Sequence, residues 1–226
     1  MIIHSSSYFH CVKVNDLNKL FIQTAKDILF YLVMCVATFL MLRMIIGYAS
    51  FDTHYEFLSQ KQEYIHIKEW LYAFYIHVFT SLFTLIAGFT QFSSYILVYH
   101  KKLHKAMGRL YVYAVLLINF PTGFIMAIYA SGLWPSKLAF IILDSLWFLF
   151  TCKAFITAKQ GDFMAHKQYM IRSYALTFSA ITLRTWRIII SALIVINPLQ
   201  LYMIDAWMGF VPNLLLAEWI IRRKLY

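Results

Sequence analysis

Residues 72–98, YAFYIHVFTSLFTLIAGFTQFSSYILV, decide the fold class because they include no Lys, Arg, Asp or Glu. A helix rises about 1.5 Å per residue, so about 20 apolar residues cross a hydrocarbon layer of about 30 Å. The whole chain agrees with a membrane setting, since 62% of its 226 residues are hydrophobic and only 13% are charged. Soluble domains carry about 25% charged residues. The composition therefore excludes most soluble classes and disorder.

Five further apolar runs predict spans of the same kind. In chain order the six predicted helices cover residues 27–49, 72–98, 109–130, 138–158, 169–195 and 205–221. The last run is the weakest, because Gly209, Pro212 and Asn213 interrupt it. Residues 1–26 are predicted to form a cytoplasmic tail, and residues 27–226 a single transmembrane domain with its core over residues 72–195. The predicted fold class is an all-α polytopic membrane bundle.

Basic residues concentrate on one predicted side of the membrane. Thirteen of them lie there: Lys13, Lys19, Lys26, Lys101, Lys102, Lys105, Arg109, Lys159, Lys167, Arg172, Arg222, Arg223 and Lys224. Only three basic loop residues lie on the other side: Lys61, Lys68 and Lys137. Because Lys and Arg accumulate in cytoplasmic loops, both termini are predicted to be cytoplasmic. Topology thus accounts for the net charge of +10, and no nucleic-acid partner is called for.

Polar residues recur on one face of predicted helices two to five. Helix five aligns His166, Met170, Ser173, Thr177, Ala180, Arg184, Arg187 and Ser191 at spacings of three and four. Helix two aligns His77, Ser81, Thr84, Gly88, Gln91 and Tyr95. Helix three adds Asn119 and Thr122, and helix four adds Asp144, Trp147 and Thr151. Polar groups are costly in lipid, so these faces predict a four-helix core with helices one and six outside it.

Depth along the helices predicts a cluster in the outer half of this core. His77, Asp144 and Arg187 are expected to meet there, with Arg184 about one turn deeper. An Asp–Arg pair would lower the cost of both charges, and the second arginine would leave the site positive. That surplus favours a small anionic ligand or a quinone oxygen. The alternative is that the cluster only joins the helices through hydrogen bonds.

Two histidines at the cytoplasmic ends of helices predict a second site. His104 precedes Arg109 at the start of helix three, and His166 precedes Arg172 at the start of helix five. Facing histidines at matched depth are typical of the axial ligands of a b-type haem, whose propionates the arginines would pair. The alternative places these residues beside lipid phosphates, where His, Lys and Arg are ordinary.

Three stretches carry a family resemblance: HVFTSLFTLIAGFTQF from His77, LHKAMGRLYVYA from Leu103 and HKQYMIRSYALTFSAITLR from His166. Together they resemble a family of predicted bacterial membrane proteins catalogued as domain of unknown function 2306. The matched motif positions are His77, His104, Gly108, Arg109, His166, Arg172 and Arg184. Tyr169 stands where Trp is expected. The resemblance implies a multi-pass protein of the bacterial inner membrane, and the family has no settled activity.

A looser likeness runs to cytochrome b561 and ferric-reductase membrane domains, which share a four-helix core with histidines on facing helices. That likeness implies haem and transmembrane electron transfer, with a quinol or ferric-reductase type of activity. One departure is that His77 has no evident histidine partner in the outer half. Two other functions stay open on the sequence. One is a transporter or anion binder that uses the cluster around Asp144, and the other is an accessory subunit that packs on another membrane protein.

Overall fold

The computed structural model describes the backbone of residues 5–224 and the side chains of residues 24–223. The chain forms two compact units, residues 1–40 and residues 41–226. The first unit contains most of helix α1, Ser5–Tyr48. This helix begins well before residue 27, so most of the predicted tail is helical. The side chains of Lys13 and Lys19, which were assigned to that tail, lie outside the described residues.

Helices make up the second unit. After α1 come α2 Lys68–Gln91, α3 Ser94–Tyr99, α4 Lys101–Tyr113, α5 Phe120–Ile128, α6 Leu133–Gln160, α7 Phe163–Thr177, α8 Ser179–Leu193, α9 Pro198–Met208 and α10 Val211–Lys224. A short 3₁₀ helix, Glu56–Gln60, lies in the first loop, and a π-helix, Ala114–Asn119, joins α4 to α5. No strand occurs within residues 5–224. The all-α prediction is confirmed.

Six segments have the length and apolarity of membrane spans when one bent pair is included. Five are continuous or nearly so: Thr24–Tyr48, Lys68–Gln91, Lys101–Ile128, Leu133–Gln160 and Pro198–Arg223. The bent pair is α7 and α8, which meet at 45°. The predicted multi-pass architecture is therefore confirmed, and this bend is the main departure from it.

Several predicted helix boundaries are wrong by five or more residues. The second span ends at Gln91 rather than near residue 98, because Ser93 caps a separate short helix by accepting a hydrogen bond from Ile96 N. The third span begins at Lys101 rather than at 109, which places His104 inside α4. The sixth begins at Pro198 rather than 205, capped by Asn197.

The core consists of α2, α4 with the π-helix and α5, α6 and α7. The tightest pair is α6 with α7, which follow each other through a turn where Gly161 adopts a left-handed φ of 81°. Helix α10 packs on α7, and α9 packs on α6 and α8. The four-helix core predicted from the polar faces is present, but the sixth span, predicted to lie outside it, packs on α6 and α7 and buries Asp205 and Phe210.

The predicted polar stripe of the fifth span is wrong beyond Thr177. The chain bends at Phe178, and α8 has no buried residue and packs mainly on α9. Arg184 and Ser191 are exposed as a result. Tyr95, assigned to the inner face of the second span, lies on α3 and is 63% exposed.

The two ends of the core differ in charge. One end, here named the lysine-rich end, holds the short helix α3 and the turn at residues 161–162 and includes Lys101, Lys102, Lys105, Lys159 and Lys167. The other, named the loop end, holds residues 49–67, 129–132 and 194–197.

Candidate functional site

Two histidines lie at the lysine-rich end, one on α4 and one on α7. Nδ1 of His104 lies 3.4 Å from the carbonyl oxygen of Thr90 on α2, and Nδ1 of His166 lies 2.8 Å from that of Ala154 on α6. A carbonyl oxygen only accepts hydrogen bonds, so Nδ1 carries the proton in both rings. Each Nε2 is left with a free lone pair. This tautomer is the one that metal-ligating histidines adopt.

The two histidines lie at the same end of the core, on helices that both contact α6. Among residues 24–223, no three His, Cys, Asp or Glu side chains converge in the manner of a metal-ion site. A haem iron takes only two protein ligands, and two imidazoles that bond through Nδ1 and keep Nε2 for a ligand match that donor set.

A buried hydroxyl network lies below the histidines, towards the middle of the core. Tyr111 Oη lies 2.7 Å from Ser173 Oγ and 2.9 Å from Thr177 Oγ1, and it accepts a hydrogen bond from Trp147 Nε1. Thr151 Oγ1 lies 2.7 Å from Ser173 Oγ. All five residues are buried. The network joins α4, α6 and α7 at one level of the bundle.

The arginines that follow the histidines have different roles. Arg172 donates two hydrogen bonds to Glu218 of α10, from Nε to Oε1 at 2.5 Å and from Nη2 to Oε2 at 3.0 Å. Its guanidinium is thus held by a carboxylate, which does not fit the prediction that it pairs a propionate. Arg109 is exposed and donates to the carbonyl of Lys105. It remains available to an anionic group at this end.

His77 lies deeper in the bundle and contacts the π-helix. Its Nδ1 donates to the carbonyl oxygen of Asn119 at 3.1 Å and lies 3.2 Å from Thr122 Oγ1. Asn119 ends the π-helix and is fully buried. Pro121 lies two residues after Asn119 and has no N–H to donate. This loss of a backbone hydrogen bond is consistent with a widened helix at this point. The predicted inward faces of the second and third spans meet here.

Asp144 of α6 reaches the same place, and Gly123 marks the meeting point. A Cβ added at Gly123 would lie 2.9 Å from Asp144 Oδ1 and 3.1 Å from His77 Cε1. Asp144 is 4% exposed, and its Oδ2 has no hydrogen-bond partner. The prediction that His77 and Asp144 come together is confirmed by this geometry.

The predicted pairing of Asp144 with an arginine is wrong. Arg187 of α8 donates from Nε to Asp205 Oδ2 of α9 at 2.8 Å. Arg184 donates to the carbonyl of Ala180, one turn earlier on α8. Both guanidiniums follow α8 away from α6 after the bend at Phe178, which a straight fifth helix does not anticipate. The predicted positive cluster around Asp144 is therefore not formed.

Lys61 was not singled out by the sequence, yet it fastens the first loop to the core. Its Nζ donates to the carbonyl of Tyr129 at 2.8 Å and to Ser131 Oγ at 2.6 Å. The residue is 2% exposed, and its burial lowers the pKa of the ammonium group to about 8. The aromatic rings within 6 Å belong to Phe57, Tyr64 and Tyr202. Lys61 therefore has a structural role at the loop end.

Comparison with known proteins places the chain among membrane proteins. The family model described as "Predicted membrane protein (DUF2306)" matches residues 74–221. This range includes every residue of the two clusters above. No curated protein and no solved structure matches the chain.

Proposed function

The chain belongs to the DUF2306 family of predicted membrane proteins, and on that premise we propose that it binds a b-type haem through His104 and His166 and carries electrons in the membrane. The proposal uses the lysine-rich end of the core. It rests on how α4 and α7 face each other there.

One spacing carries the proposal. Tyr111 follows His104 by seven residues on α4, and Ser173 follows His166 by seven residues on α7. Seven residues make almost two helical turns, so each histidine lies on the same face as the hydroxyl below it. The two hydroxyls lie 2.7 Å apart. The histidines accordingly lie on facing surfaces, about 10 Å nearer the lysine-rich end.

The hydrogen bonds that the two histidines make through Nδ1 support a role as axial ligands of the haem iron. Thr90 and Ala154 supply backbone carbonyls that fix the ring tautomers, so that both Nε2 atoms are free to coordinate. Haem would supply a one-electron carrier that alternates between ferrous and ferric iron. Arg109, exposed on α4, is the residue of this end that would pair a propionate.

Haem content measured on variants tests the proposal. The wild type is expressed with ample haem precursor, purified in detergent and assayed for haem per chain. His104→Ala and His166→Ala are expected to lose most of the haem. His100→Ala is the matched control, since His100 lies one turn before His104, and it is expected to keep the wild-type content. Equal haem content in all four proteins, or none in the wild type, would contradict the proposal.

The proposed setting is a bacterial inner membrane with both termini in the cytoplasm. The accumulation of Lys and Arg at the lysine-rich end supports this orientation. A carboxy-terminal fusion to green fluorescent protein is expected to fluoresce, and the same fusion to alkaline phosphatase is expected to be inactive. The reverse result would place the lysine-rich end in the periplasm.

A further inference from the structure

A second set of polar groups lies away from the histidine pair, around Gly123. His77 comes from α2, Asn119 and Gly123 from the π-helix and α5, and Asp144 from α6. His77 and Thr90 are 13 residues apart on α2, so this set lies about 20 Å along the helix from the contact of His104. It takes no part in the proposed haem ligation. Its own hydrogen bonds are incomplete.

The incomplete bonds define what the set can bind. Asn119 Nδ2, a donor, and Asp144 Oδ2, an acceptor when ionised, are buried and lack partners. Because His77 Nδ1 donates to Asn119 O, its Nε2 is an acceptor. Leaving a buried polar atom unpaired costs about 1–3 kcal/mol, so such a group of atoms indicates a partner that completes it.

The mixture of donors and acceptors narrows the ligand class. A metal cation would be repelled by the amide N–H of Asn119, and an anion by the acceptor lone pair at Nε2 of His77. A neutral group that both donates and accepts hydrogen bonds fits all three side chains. A quinol hydroxyl both donates and accepts, so the reduced head group meets this requirement, and the carbonyl of its quinone form still accepts from Asn119 Nδ2.

The surroundings fit a ligand that arrives from lipid. The site lies within three segments with the apolarity of membrane spans, Lys68–Gln91, Lys101–Ile128 and Leu133–Gln160. Ile76 and Ile118, which directly precede His77 and Asn119 in the chain, are exposed at 47% and 36%. The hydroxyls of Thr80 and Thr122 border the same contact and are themselves partly exposed. An apolar tail in the hydrocarbon layer is compatible with this side of the bundle.

The π-helix is an independent sign of function at this place. Such segments are uncommon and occur often at functional sites, where they redirect a carbonyl group or a side chain. Here the π-helix ends at Asn119, whose carbonyl oxygen accepts from His77 and whose side chain carries the unpaired amide. The local distortion therefore places both groups at the contact with His77.

We infer that His77, Asn119 and Asp144 bind the head group of a membrane-soluble quinone. The inference deepens the proposed electron-transfer function, because a quinone is a lipid-soluble electron carrier that the haem site needs as a partner. Binding itself does not depend on haem. Its test is accordingly separate from haem content.

Photo-cross-linking with a quinone probe tests the inference. The purified full chain in lipid nanodiscs is labelled with an azido-ubiquinone, and labelled peptides are mapped by mass spectrometry. Labelling is expected on α2, the π-helix, α5 or α6, and an excess of decylubiquinone or of a naphthoquinone is expected to suppress it. The competitor that acts at lower concentration identifies the ring class. Labelling elsewhere, or labelling that neither competitor suppresses, would overturn the inference.

Three variants and one control assign the binding to these residues. Asn119→Leu and Asp144→Asn each remove one of the unpaired groups, and Gly123→Ala narrows the space between His77 and Asp144. Each is expected to weaken competitor binding about tenfold, the effect of one lost hydrogen bond or contact. Asp162→Asn makes the same change as Asp144→Asn at an exposed helix cap and is expected to bind as the wild type does.

The outcomes separate this inference from the haem proposal. If variants that elute and melt as the wild type bind the quinone equally well, the inference fails, and ordered water remains as the partner of Asn119 and Asp144. If the quinone binds as described and the protein contains no haem, the inference stands and the proposed haem function fails. If haem is present and no quinone binds, only the inference fails.

Discussion

The hydroxyl of Tyr111 on α4 lies 2.7 Å from the hydroxyl of Ser173 on α7. Trp147 donates to Tyr111 from α6, and Thr177 lies 2.9 Å from the same oxygen. One phenol thus joins three helices of the core, including the two that carry His104 and His166.

Removal of the Tyr111 hydroxyl is expected to destabilise the core. In Tyr111→Phe, Trp147 Nε1 loses its buried acceptor, and an unpaired buried group costs about 1–3 kcal/mol. Thermal unfolding in detergent should show a clear fall in Tm. Tyr113→Phe, at a residue 49% exposed on the same helix, is the control and should melt as the wild type does. Equal Tm values for Tyr111→Phe and Tyr113→Phe would contradict the stabilising role of the Tyr111 hydroxyl.

The ion pair between Arg172 and Glu218 is expected to stabilise the packing of α10 on α7. Side-chain exposure of 38% at Glu218 allows water to screen the pair, so its coupling free energy should be only about 0.5–1 kcal/mol. A double-mutant cycle of Arg172→Gln and Glu218→Gln measures that coupling. The cycle of His54→Gln and Asp52→Asn, at an exposed pair, should give a smaller value. A coupling free energy for Arg172 and Glu218 no larger than that for His54 and Asp52 would contradict the prediction.

Lys61 is expected to make stability rise with pH in the alkaline range. Its pKa is about 8 in the folded protein because burial disfavours the charge, whereas the ordinary value is 10.5. Between pH 8 and 10.5 the unfolded chain binds more protons than the folded protein, so stability from this residue increases as pH rises. Tm of the wild type relative to Lys61→Met should therefore be higher at pH 9.5 than at pH 7.5. A difference that stays constant or falls with pH would show that the folded ammonium group keeps an ordinary pKa.

Gly88 is expected to tolerate no larger side chain. A Cβ added there would overlap the ring and hydroxyl of Tyr174, which donates to the carbonyl of Leu85 at 2.6 Å. Overpacking of this kind costs about 1–3 kcal/mol. Gly88→Ala should lower Tm, and Gly88→Ala with Tyr174→Leu should recover part of the loss because the ring is gone. Failure of the double variant to improve on Gly88→Ala would argue against this contact as the cause.

The sequence predicts the bundle and much of the site because lipid imposes strict rules. Uncharged runs such as residues 72–98 locate the spans, and costly groups such as Asp144 and His77 face inward and meet. The match in depth of His104 and His166 follows from the loop positions alone. These features depend on length and polarity, which the sequence contains.

Other features depend on packing that the sequence does not display. The bend at Phe178 lies in LTFSAITLR, which has no Gly or Pro, so a straight helix was the natural prediction. Arg187 consequently pairs with Asp205 rather than with Asp144. Tyr111 resembles any core aromatic in an apolar run, and its three hydrogen bonds become visible only when α4, α6 and α7 are assembled.

The measurement that tests the haem proposal most directly is electron paramagnetic resonance of the oxidised, purified wild type beside the His104→Ala and His166→Ala variants. The account predicts a low-spin ferric signal of two imidazole ligands in the wild type, which each variant loses. A wild-type signal without two imidazole ligands, or a bis-imidazole signal that persists in either variant, would contradict the assignment of His104 and His166.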